Sequence, residues 1–110
     1  MACLLEKDAS GKFDFTSQNH ATPTVKVAAN GNVRLTAARF NHADLPIQNG
    51  DTISFTVDEG VNILRMVVVV ADPNDTIRIL EDCGGGQTQV LDQYQNDPAD
   101  PVTGYSIFGF

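Results

Sequence analysis

The sequence predicts an all-β chain, an antiparallel β-sandwich of about seven to eight strands on an immunoglobulin-like or jelly-roll plan. Three observations carry this. Residues 51–82 alternate polar and apolar side chains with a period of two, and turn residues recur too closely for a helix to intervene. Asn30-Gly31-Asn32 sits between two β-branched runs, a strong hairpin signal. At 110 residues and 42% hydrophobic content, the chain fills one core and no more, so residues 1–110 are expected to be a single domain.

Taken in order, the first ten residues read as an arm or a short edge strand. Residues 11–16 alternate and are expected to form a strand with Phe13 and Phe15 facing inward, and residues 17–21 a loop. Residues 22–38 read as a hairpin. A three-residue loop at Asn30 to Asn32 sets Val27 opposite Leu35 and Val25 opposite Ala37, which makes one face wholly apolar; a slip of one residue would split it. Residues 39–50 form a longer connection with room for one helical turn at 41–45.

The central segment reads as three consecutive paired strands. Pairing Phe55 with Leu64, Ile53 with Met66, Val70 with Ile77 and Val68 with Ile79 turns the same face inward throughout. Arg65 then lies outside, opposite Asp82. Ile63, Val67 and Val69 share that outer face, with Leu80 beside Val67, and an apolar outer face calls for a cover. Residues 83–87 form a glycine turn, residues 87–91 a short strand, residues 92–103 a long acidic loop, and residues 104–110 a closing strand.

Charge narrows the function. The net charge is -7, and residues 72–110 hold seven acids against Arg78 alone. Such a chain offers no basic face for nucleic acid or an anionic membrane. There is no run of about 18 apolar residues to span a bilayer, and the opening residues are too short for a signal peptide, so the chain as given reads as cytoplasmic or as a mature domain cut from something longer. Cys3 and Cys83 match no metal spacing; in that compartment two reduced, unrelated thiols are expected, with a disulfide the lesser alternative.

Catalytic patterns are weak. His20 and His42 belong to no triad order. Acids flank Cys83, which disfavours a thiolate nucleophile. Gly84-Gly85-Gly86 follows two acids and precedes no helix, unlike a phosphate cradle. No enzyme is expected.

The late acidic segment supplies the ligand-binding candidates: Asp92, Tyr94, Asn96, Asp97 and Asp100. Carboxylates and amides suit a neutral saccharide or similar polar ligand. Asp97 and Asp100 are the candidate metal ligands should calcium bind, since Ca²⁺ takes hard oxygen donors. The turn at Asp72, Asn74 and Asp75 offers the same chemistry. Asp, Asn and Pro are also ordinary turn residues, and the EF-hand spacing is absent. The plan is similar to small carbohydrate-binding modules and lectin-like sandwiches, a likeness of architecture that transfers no site residue. The alternative is an assembly protein: a homo-oligomer joined through Ile63, Val67, Val69 and Leu80.

Overall fold

The computed structural model describes residues 3–7, 13–14, 21–29, 33–70 and 72–109. The described residues form ten strands: β1 (Glu6–Lys7), β2 (Phe13–Asp14), β3 (Thr24–Ala29), β4 (Val33–Phe40), β5 (Ala43–Asp44), β6 (Thr52–Ser54), β7 (Gly60–Val70), β8 (Thr76–Gly84), β9 (Gln87–Gln95) and β10 (Val102–Gly109). Three are only two residues long, so seven make up the body of the fold. They form two facing sheets, one of six strands in the order β1-β2-β10-β7-β4-β5 and one of four in the order β6-β3-β8-β9. The sandwich expected from the sequence is present. Its pairing is antiparallel except where β2 runs parallel to β10.

The inward face is the expected one. Ile53, Phe55, Val57, Leu64, Met66, Val68, Val70, Ile77 and Ile79 are all buried, each worth about 1.5–3 kcal/mol of apolar burial. The Phe40 and Phe55 rings stack with centroids 4.5 Å apart, tying β4 to the chain that leaves β6.

The expected neighbours, however, are wrong. β3 and β4 do not form a hairpin: β3 lies between β6 and β8, while β4 lies between β5 and β7 in the other sheet. The central segment is not a meander either. β6 pairs with β3, β7 with β4 and β10, and β8 with β3 and β9. Each turn passes the chain from one sheet to the other. Parity is blind to this difference, because same-parity residues meet side by side in a hairpin and across the interior in a crossing. Arg65 is outside as expected, but it faces Arg39 and Gly104. Asp82 faces Thr24 and Thr88 in the opposite sheet, so the expected ion pair is not formed.

A register shift between Leu35 and Ala37 also moves Ala37 outward, while Leu35 and Ala38 stay buried. This β-bulge inserts one residue and reverses the alternation beyond it. Asp51 holds the bulge in place: its Oδ1 accepts the Leu35 N–H at 3.1 Å, and its carbonyl accepts the Val27 N–H at 3.2 Å from the other sheet. Asp51 adopts a left-handed φ of 54° to make both bonds.

The remaining connections follow local chemistry. Residues 41–45 form no helical turn; Asn41 and His42 make a tight turn, with Asn41 at φ 57°, that leads from β4 back into β5. Gly85 and Gly86 connect β8 to β9 with φ of 62° and 79°, the positive pair a type I′ hairpin requires. β9 then continues to Gln95, paired with Thr76, so the late loop shrinks to residues 96–101. The orientations expected for Phe13 and Phe15, the loop at residues 17–20 and the turn at Asn30 to Asn32 fall outside the described residues.

Cys3 and Cys83 form a disulfide across 80 residues of sequence, with Cα atoms 4.6 Å apart. The expectation of reduced thiols is corrected. Behind the disulfide Glu81, fully buried, accepts Leu4 N–H at 2.8 Å, Leu5 N–H at 3.1 Å and Gln89 Nε2 at 2.6 Å. The N-terminal arm is therefore held by a covalent bond and by a carboxylate that needs the arm's amides.

Candidate binding face

The structure divides the predicted ligand set. Asp92 and Tyr94 lie on β9 and point between the sheets, since they pair with the buried Ile79 and Ile77. Asp92 Oδ2 accepts the Tyr105 hydroxyl from β10 at 3.1 Å, and its Oδ1 accepts the Gln93 N–H at 2.8 Å. The pair ties one sheet to the other. Burial, opposed in part by a Thr103 hydrogen bond and reinforced by the Asp92 charge, raises the Tyr105 pKa far above its ordinary 10.0. Burial and then Asp92 also raise that of Tyr94, whose hydroxyl is enclosed without a hydrogen-bond partner.

Asn96, Asp97 and Asp100 belong to the true loop. Asp97 Oδ1 accepts the Ala99 N–H at 2.9 Å, and the Asp97 carbonyl accepts the Asp100 N–H at 3.0 Å. The Asp72 turn repeats the arrangement, with Asn74 N–H on Oδ1 at 2.9 Å and Asp75 N–H on the carbonyl at 3.1 Å. Both Asp-Pro turns use one carboxylate oxygen to fix the backbone. They share one end of the sandwich, where Gln95 Nε2 reaches the Asn74 carbonyl at 3.4 Å. Among the described residues, Asp97 and Asp100 join no group of three or more ligand-bearing side chains close enough to share a metal ion. The one such group is Cys3, Glu81 and Cys83, where both sulfurs are engaged in the disulfide.

The proposed interface residues are divided as well. Ile63, Val67 and Val69 project from β7 on the outside of the six-stranded sheet; Leu80 projects from the four-stranded sheet and does not join them. Val61 and Val102, which the sequence reading did not select, join the three β7 residues in its stead. Among the described residues, four of the five exposed large hydrophobics share this face: Val61 (59% exposed), Ile63 (44%), Val69 (44%) and Val102 (49%). Arg34, Arg39 and Arg65 lie on it too, Arg34 opposite Val69 and Arg39 opposite Arg65. A valine-rich surface carrying arginine has the composition of a protein–protein interface core.

At the β5 end of this face, Arg39, Asn41, His42, Val61, Ile63 and Arg65 line an open hollow of about 450 Å³. Its rim is fixed. The Asn41 backbone N–H donates to the Ile63 carbonyl at 2.7 Å, Asn41 Oδ1 accepts the Ile63 N–H at 2.8 Å, and Asn41 Nδ2 donates to Asn62 Oδ1 at 3.1 Å. Asn62 is buried, and its Nδ2 donates to the carbonyls of Asp58, Gly60 and Ile107. A satisfied buried network of this kind holds the strand ends rigidly. A second groove of about 590 Å³ runs beside the bulge, lined by Arg34, Thr36, Gln48 and Asn49 among others.

The sequence held signals for some of what it missed. Positions 77, 79, 81 and 83 share the inward parity, which marks Glu81 and Cys83 as interior and near one another. Nothing in the sequence brings Arg39 beside Arg65, because β4 and β7 are far apart in the chain. No family model, curated protein or solved structure matches this chain.

Proposed function

We propose that this domain is a non-enzymatic assembly module, and that the outer face of the six-stranded sheet docks a second copy of the chain. The observation that carries the reading is the gathering of Val61, Ile63, Val69 and Val102 with three arginines on one side of the molecule. Exposed apolar area of this kind gains about 25 cal/mol per Å² when covered. The chain's net charge of -7 makes another copy a suitable partner for an arginine-bearing face.

The saccharide reading of the late loop is the weaker alternative. Both Asp92 oxygens and one Asp97 oxygen are already engaged within the protein, and Tyr94 is turned inward. What speaks for it is the shared end of the two Asp-Pro turns.

Sedimentation of the wild type and of Val67→Lys tests the assembly. Val67 lies between Ala37 and Val102 in the middle of the face. The wild type is expected to exceed the 11.8 kDa monomer mass, and the folded variant to return to it. A variant that assembles as the wild type does would refute the reading. If Val67→Lys fails to fold, Val102→Lys on the exposed rim answers the same question.

A further inference from the structure

We infer that the Arg39–Arg65 hollow receives the turn at Asp97-Pro98-Ala99-Asp100 of a neighbouring copy, joining the chains head to tail. The inference rests on the assembly reading above and names the segment that docks.

The hollow is electrostatically incomplete. Arg39 and Arg65 face each other directly across β4 and β7, an arrangement that repels. Asp44 reaches Arg39 at 3.6 Å, but both side chains are largely exposed, so the pair contributes little. Among the described residues, no carboxylate lies within ion-pair distance of Arg65. Two adjacent guanidinium groups beside an apolar wall are suited to two carboxylates with apolar atoms between them.

The late turn has that composition. It carries acid, proline, alanine and acid in sequence, and all four residues are exposed. The bond from the Asp100 N–H to the Asp97 carbonyl holds the Cα atoms of these two residues within about 7 Å. Directly opposed strand residues such as Arg39 and Arg65 stand about 4.5–5.5 Å apart at Cα. The two spacings are compatible, and Pro98 and Ala99 would then cover Val61 and Ile63. The Asp72 turn fits less well, because it places Asn74 where Ala99 stands and half-buries Asp75.

The same copy cannot satisfy its own hollow. The Pro101 carbonyl accepts the Val68 N–H at 3.1 Å, which anchors the turn three residues along β7 from Arg65 and five from Ile63, roughly 10 Å and 17 Å away. A face-to-face two-fold dimer would bring the arginine rows toward each other. A head-to-tail contact avoids this, and being heterologous it repeats into rings or filaments.

Complementary variants test the contact. Arg39→Ala/Arg65→Ala removes the hollow's charge. Asp97→Asn/Asp100→Asn removes the turn's charge, while the amide oxygen introduced at position 97 still accepts the Ala99 N–H. Each alone is expected to sediment as a monomer at 50 mM salt. Their equimolar mixture retains one intact hollow and one intact turn, so it should form a capped dimer of twice the mass, which dissociates at about 0.5 M salt. A mixture that stays monomeric while the wild type assembles and Val67→Lys does not would overturn the inference but keep the docking face. Either variant assembling alone would also overturn it. A wild type that is monomeric at every concentration removes the assembly reading and this contact together. If the double arginine variant does not fold, Arg65→Gln takes its place.

Discussion

Removing the Cys3–Cys83 disulfide should be the most costly small change that can be made to this protein. The bond closes a loop of 80 residues. In the chain-entropy treatment, a loop of that length restricts the unfolded state by about 4.5 kcal/mol at 25 °C, against a total stability of about 5–15 kcal/mol for a domain this size. The native arm adds its own share, because Leu5 is buried at 3% exposure and the Leu4 and Leu5 amides satisfy Glu81. An arm that swings away leaves a buried carboxylate short of two donors, which costs about 1–3 kcal/mol for a polar group and more for a charged one. The assay is equilibrium urea unfolding of the wild type and of Cys3→Ser/Cys83→Ser, with the wild type repeated under reductant. The midpoint should fall by about 2–4 M for an m-value of 1–2 kcal/mol/M. The m-value itself should rise as the unfolded chain loses its cross-link. A midpoint within about 0.5 M of the wild type would refute the entropic argument and the clasp built on it.

Tyr105→Phe probes the tie between the sheets. Because the folded tyrosine holds its proton more firmly than the unfolded one, its contribution to stability is fully present below pH 10.0 and is lost as the pH rises past that value. Melting curves from pH 8 to 11 should show a flatter decline for the variant, which has no hydroxyl to lose, and equal slopes would count against the assignment. Gly109→Ala should destabilise by more than about 3 kcal/mol, since an added Cβ would collide with the Asp58 carbonyl on the neighbouring segment; a melting temperature within a degree or two of wild type would show that the strand end simply shifts aside.

What can be read from the sequence, and what cannot, follows from the range of each signal. Alternation in residues 53–57, 64–70 and 77–79 locates the core, because which face is dry depends on the parity of one strand alone. Partner choice is a different matter. Asp58-Glu59-Gly60 and Asp72-Pro73-Asn74-Asp75 reverse the chain equally well within a sheet or between two, and the composition of a turn does not record where its second strand goes. The bulge at Thr36 likewise shows only once Asp51 is seen holding Leu35. Of the ligand candidates, Asn96, Asp97 and Asp100 lie in a loop as expected, whereas Asp92 and Tyr94 belong to a strand. The disulfide escapes a reading by spacing, which says nothing across 80 residues. The hollow could not be anticipated at all, since its walls come from β4, β7 and the turn into β5 and exist only after those strands pair.

The repeated passage of the chain between the two sheets bears on how the molecule assembles itself. Only β4–β5 and β8–β9 join strands that are neighbours both in sequence and in space among the described residues from β3 onward. Nearly every other ladder must wait for distant segments to meet, so contact order is high and the search for the native state is correspondingly slow. Of the two local pairings, the Gly85-Gly86 reversal joins the longer ribbon, and β3 lies along its other edge, so this ribbon is expected to form before the ladders that need distant segments.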